Sequence, residues 1–214
     1  MTQKNPLEDI KEIRKMMETS SKFLSLSGLS GISAGLIALA GTYFAWFKIT
    51  QFEHKFVHDY MTGQIDDSYK LLEFELTFGA LIVLILAVGS GFLFTYLSAK
   101  KKGHQLFSPV AFKLAWSMGL PLAFGGAFTL ILVHHQVWGF IGASTLLFYG
   151  LALLNASKYV HVEIKYLAIC QMSLGLLSAW FATEPIISLY FWAVGFGVLH
   201  IFYGAIMYFK YDRK

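Results

Sequence analysis

Residues 186–209 read IISLYFWAVGFGVLHIFYGAIMYF, 24 consecutive positions without a single Asp, Glu, Lys or Arg. A helix rises about 1.5 Å per residue, and the hydrocarbon core of a bilayer is about 30 Å thick, so roughly 20 such residues suffice to cross it. Residues 74–97, FELTFGALIVLILAVGSGFLFTYL, have the same character after Glu75. Residues 23–47, 114–133, 137–156 and 166–182 complete six apolar segments. The expected fold is therefore all-α, a polytopic membrane protein with six transmembrane helices. Composition agrees: of 214 residues, 56% are hydrophobic and only 14% charged, against about 25% charged in soluble domains. One cysteine excludes a disulfide framework.

The basic residues set an expected orientation. Lys4, Lys11, Arg14, Lys15 and Lys22 precede the first segment, and Lys100, Lys101, Lys102 and Lys113 lie between the second and third. Lys158 and Lys165 join the fourth to the fifth, and Lys210, Arg213 and Lys214 follow the sixth. Those are 14 of the 17 basic residues, and all fall on one side of a six-span topology. The positive-inside rule then places both termini in the cytoplasm, as a multi-pass protein of the bacterial inner (plasma) membrane. Basic residues distributed this way point to lipid headgroups and not to nucleic acid.

Residues 1–22 read as an amphipathic cytoplasmic arm, with Leu7, Ile10, Ile13 and Met17 recurring at helical spacing among charges. Such an arm can pack beneath the first span, lie on the inner leaflet, or hold a cytoplasmic protein partner. Residues 23–214 form the six-span domain. Between the first two spans, Ile49, Phe52, Phe56 and Tyr60 have helical spacing, which predicts that an interfacial helix continues the first span. Pro121 predicts a kink in the third.

The chain also repeats. Trp138 is followed ten residues later by Phe148-Tyr149-Gly150, and Trp192 ten residues later by Phe202-Tyr203-Gly204; Gly91 occupies the matching slot of a first copy. The chain thus reads as three hairpin repeats. The stretch 165–210, with Gly175-Leu176-Leu177, a Glu184-Pro185 turn and Gly195, Gly197 and Gly204, resembles one hairpin of HdeD-type membrane proteins. That resemblance implies tandem two-helix repeats, commonly six spans, and an association with bacterial acid resistance, with no catalytic residues to carry over. The second hairpin lacks the turn proline, and the arm and the long first loop depart from the pattern. The arm together with Ser25-Leu26-Ser27-Gly28-Leu29-Ser30-Gly31 is also similar to uncharacterised bacterial six-span membrane proteins.

Polar residues inside the spans are the natural candidates for function, because burying them in lipid is expensive. His200 lies half-way along the sixth span, and the aligned positions Leu146 and Ala87 are apolar. Cys170 and Gln171 lie mid-depth in the fifth. The ordinary reading is a neutral imidazole bonded to a backbone carbonyl or to Gln171, tying two helices together. The sharper one is a ligand or proton site, or a haem ligand. His54 and His58, four apart, with His134 and His135, give a weaker signal for a transition metal at the outer face; no other cofactor is expected. Gly28, Gly31 and Gly35 leave one side of the first span free of bulk, suited to packing against a neighbouring span or to a homo-oligomer face. Two common enzyme motifs are absent: neither HExxH nor a P-loop occurs. The leading expectation is a non-catalytic membrane protein of sensor, stress-response or scaffold type. The alternatives are a small-molecule or ion/proton transporter with a midplane histidine, and a haem- or metal-binding membrane protein.

Overall fold

The computed structural model describes residues 27–62, 68–103 and 107–213, except the side chains at positions 58–60, 62 and 68. The arm, residues 1–22, lies outside the described residues. Every regular element among those described is helical: α1 (Gly28–Thr62), α2 (Ser68–Lys102), α3 (Pro109–His134), α4 (Gly139–Ala156), α5 (Glu163–Trp180) and α6 (Pro185–Asp212). Five of these, all but α5, are long and apolar enough to cross a membrane. α5 has only 18 residues, and Glu163, Lys165 and Gln171 lower its hydropathy.

Helix ends differ from the apolar segments where polar residues can still take part in a helix. α1 runs unbroken to Thr62, well past the apolar stretch that ends at residue 47, so its 35 residues reach about 52 Å. The aromatic stretch after the first span is thus a direct extension of α1. Phe52 and Phe56 meet Tyr69 at the start of α2, with ring centroids 4.6 and 5.6 Å away, and Lys48 Nζ bonds Glu75 Oε1 at 2.8 Å. These contacts continue the α1–α2 pair beyond the apolar part of either helix.

α3 passes through Pro121 as one helix. A proline at that position cannot donate to the carbonyl of Ser117, four residues earlier. Asn155 on α4 supplies the missing donor, its Nδ2 reaching Ser117 O at 3.2 Å. Thr129 and Ser144 tie the same two helices, Oγ1 to Oγ at 2.9 Å. At its start, α3 is capped by Ser108, whose side chain accepts from the Ala111 N–H at 3.2 Å, with Pro109 in the first turn.

The helices pack in the sequence α2–α1–α6–α4, with α5 against α4 and α6, and α3 against α4. α6 is therefore central, touching α1, α4 and α5. Its contact with α1 is one of backbone on backbone. A Cβ added at Gly204 would stand 2.5 Å from Ile32 N and 2.6 Å from Gly28 O; one added at Gly28 would stand 2.2 Å from Tyr208 N. Gly31 and Gly35 face the His200 and Gly197 carbonyls in the same seam. The small side of α1 is thus occupied within the chain.

α6 is not uniformly α-helical. Pro185–Trp192 is α, Ala193–Leu199 is a π turn, His200–Met207 is α again, and Tyr208–Asp212 forms a second π turn. The second π turn sends successive side chains to different helices. Lys210 and Tyr211 reach Glu163 Oε1 on α5, the tyrosine at 3.0 Å, while Asp212 turns to α1 and α2. Its Oδ2 accepts from Gly28 N at 2.7 Å and Ser27 Oγ at 3.0 Å, and its Oδ1 from Lys102 Nζ at 2.9 Å. A carboxylate thereby caps the N-terminus of α1, where the helix dipole favours negative charge.

The seam makes a steric prediction. Gly204→Ala forces backbone apart and should cost about 1–3 kcal/mol, as overpacking does. At Gly119 a Cβ meets nothing within 4 Å, so Gly119→Ala should be neutral or stabilising. Thermal unfolding in detergent compares the two, and equal melting temperatures would remove the claim that backbone contact holds this seam.

Candidate functional site

The polar centre of the bundle grows out of the first π turn. Gly195 and Gly197 carry no Cβ, and Leu146 Cδ2 and Gln171 Oε1 fill the space where a Gly195 side chain would stand, at 2.3 and 2.6 Å. The wide turn presents the Gly195 carbonyl sideways, towards α5. Gln171 Nε2 donates to it at 2.9 Å, and His200 Nδ1 lies 2.9 Å from the same oxygen. On the other edge of the ring, the Tyr149 hydroxyl lies 2.9 Å from His200 Nε2.

These partners fix the protonation pattern by their chemistry. A carbonyl can only accept, so Nδ1 carries the hydrogen and donates to Gly195. In a neutral ring Nε2 then accepts, with the Tyr149 O–H as its donor. The 3.4 Å approach of Gln171 Nε2 to His200 Nδ1 is two donors sharing one acceptor. Both imidazole nitrogens of His200 are therefore engaged. Phe196 stacks on its ring, centroids 5.8 Å apart, and also packs on Tyr149 at 5.0 Å. Side chains of α5 and α6 thus meet at a single backbone carbonyl, and Tyr149 of α4 joins them through the imidazole.

Two polar atoms near this centre, Gln171 Oε1 and the Tyr203 hydroxyl, are buried without a hydrogen-bond partner. The Gln171 amide is oriented by the stronger demand, that its nitrogen face Gly195. Towards the other end of the α5–α6 pair, Ser178 Oγ donates to Ser188 Oγ at 3.3 Å, and both residues are buried.

The residues singled out in the sequence fare differently. His200 and Gln171 are brought together. Cys170 is not: it is exposed on the outer surface of α5, since one residue along a helix turns the side chain by about 100°. His134 and His135 sit at the α3–α4 turn with their rings edge to face, centroids 5.2 Å apart. His54 is exposed on the extension of α1, and the side chain of His58 lies outside the described residues. Among the described residues no group of three or more His, Cys, Asp or Glu is placed to hold a metal.

Tyr149 was the residue that sequence reasoning missed as a partner of His200. Its signal was present in the paired triplets Phe148-Tyr149-Gly150 and Phe202-Tyr203-Gly204, which put a tyrosine in the same slot of two helices. Comparison of the chain with family models, curated proteins and solved structures yields no match. The site is thus interpreted on its own geometry.

That geometry ranks three substitutions. Tyr149→Phe removes one bond and should cost about 1 kcal/mol or less. His200→Leu strands the Tyr149 hydroxyl and should cost more, about 1–3 kcal/mol. Cys170→Ser, on the outer surface, should change melting by the least. Thermal unfolding in detergent gives the order, and a His200→Leu variant as stable as the parent would contradict the tie between helices.

Proposed function

We propose that this chain is a non-catalytic multi-pass membrane protein of sensor or scaffold type, in which His200 ties helices together. The observation that carries this reading is the commitment of both imidazole nitrogens, one to the Gly195 carbonyl and one to the Tyr149 hydroxyl. Haem or metal ligation needs a free nitrogen lone pair, and here the only lone pair, on Nε2, already accepts a hydrogen bond. The glycine seam and the interhelical bonds from Ser33 to Ser90, Thr129 to Ser144 and Gln171 to Gly195 support a tightly held bundle. In this reading residues 1–22 hold a soluble partner, and the six spans form three hairpins in the bacterial inner membrane with both termini cytoplasmic. The asymmetric distribution of Lys and Arg supports that orientation.

Two experiments test the proposal. Purified protein in nanodiscs, titrated with haemin, should develop no Soret band that depends on His200, and proteoliposomes of parent and His200→Leu should show equal proton flux. A His200-dependent band or flux overturns the tie reading. Orientation is tested in a Cys170→Ser background: a membrane-impermeant maleimide should label His135→Cys in intact spheroplasts, and Lys101→Cys only after lysis. The reverse pattern would invert the topology.

A further inference from the structure

At the end of the bundle where α3 begins and α4 finishes, the described residues include two carboxylates, Glu163 and Asp212. Both are taken, Glu163 by Lys210 and Asp212 by Lys102. The same end also carries Lys100, Lys101, Lys113, Lys158, Lys165 and Arg213, a surplus of positive charge that no described carboxylate balances. Two of these lysines meet across one helix seam. Lys158 Nζ, just past the end of α4, lies 3.4 Å from Asn155 Oδ1, a neutral amide oxygen, while Asn155 Nδ2 reaches over to Ser117 O on α3. Lys113 stands one turn before Ser117 on the same face of α3, about 6 Å nearer the helix start. Both lysines are exposed.

Beneath them the seam has an open apolar flank. Leu120 and Phe124 continue the Lys113–Ser117 stripe along α3, and Leu151 lies one turn below Asn155 on α4. They are 48, 67 and 45% exposed. Trp116, three residues on from Lys113, is 75% exposed, and an indole at a helix end suits the membrane interface.

We propose that this flank of the α3–α4 seam binds one anionic phospholipid of the phosphatidylglycerol type. Its phosphate sits between Lys113 and Lys158, and an acyl chain lies over Leu120, Phe124 and Leu151. The chemistry of the site selects that occupant. Lysines at the membrane surface attract anionic headgroups, and their stems lie along apolar surface while the ammonium stays at headgroup depth. The Asn155 amide has a second N–H, beyond the one given to Ser117 O, to donate to a phosphate or ester oxygen. A zwitterionic headgroup brings its own cation, which the two lysines repel. A soluble phosphate lacks the chain that would cover the apolar flank.

This site is independent of the His200 tie. Its test is native mass spectrometry of the full chain, released from detergent micelles holding equal amounts of phosphatidylglycerol and phosphatidylcholine. The parent should retain phosphatidylglycerol in preference. Lys113→Gln and Lys158→Gln should each weaken that retention about fivefold, and the pair more than either. Lys100→Gln with Lys101→Gln removes the same charge from the end of α2 and should leave retention unchanged. An equal loss in that control marks diffuse attraction to a basic surface and overturns the site, as does equal retention of the two lipids. Thermal unfolding in detergent gives a second reading. Added phosphatidylglycerol should raise the melting temperature of the parent and of the α2 control more than that of Lys113→Gln with Lys158→Gln. Equal gains in all three overturn the proposal.

Discussion

Lipid gives no reward for bringing apolar side chains together, so a helix bundle in a membrane must be held by close backbone approach and by polar bonds. In this protein both devices converge on α6. Its glycines admit α1 to backbone distance, and its Gly195 carbonyl gathers His200 and Gln171. Remove α6 and α1 keeps only α2 as a substantial neighbour. The outer helices follow from this arrangement. α2 rests on α1 and α3 on α4, and their remaining faces carry Phe, Leu, Ile and Trp outward, where lipid is an adequate partner.

The polar bonds are distributed by helix pair and not spread at random. Ser33 and Ser90 join α1 to α2, Thr129 and Ser144 join α3 to α4, and Ser178 and Ser188 join α5 to α6. Each such bond contributes on average about 0.6 kcal/mol in a membrane, so none fixes the fold alone. Their value lies in register: a hydroxyl pair fails when one helix slides by a residue, whereas a Leu-on-Leu contact tolerates it. Asn155 adds a different kind of repair, restoring a donor that Pro121 removes, which is why α3 can carry a proline in its middle.

Much of the architecture could be read from the residues because bilayer thickness converts apolar run length into a helix. The six segments were each recovered as helices, and only the ends moved. α1 outran its apolar stretch because Gln51, Glu53, His54 and Lys55 are acceptable in a helix once it leaves hydrocarbon. His200 was legible as the odd polar residue in an apolar repeat, and Gln171 as its neighbour. Cys170 is grouped with them by sequence adjacency, which a helix converts into directions about 100° apart. The π turns left no periodic signal, since a single inserted residue in a uniformly apolar helix shifts no charge. Asp212 was equally hidden: its partners Lys102 and Gly28 are 110 and 184 residues away, and no local pattern announces a contact of that span.

That last distance bears on how the chain is made. α1 is translated before α6, and the carboxylate that caps its first turn is synthesised 184 residues later. Until α6 follows, Gly28, Gly31 and Gly35 lack the helix that seats on them and the Gly28 N–H lacks its carboxylate, with α2 the neighbour already made. The order of biosynthesis and the order of assembly are therefore different, since the seam closes only when α6 returns to α1.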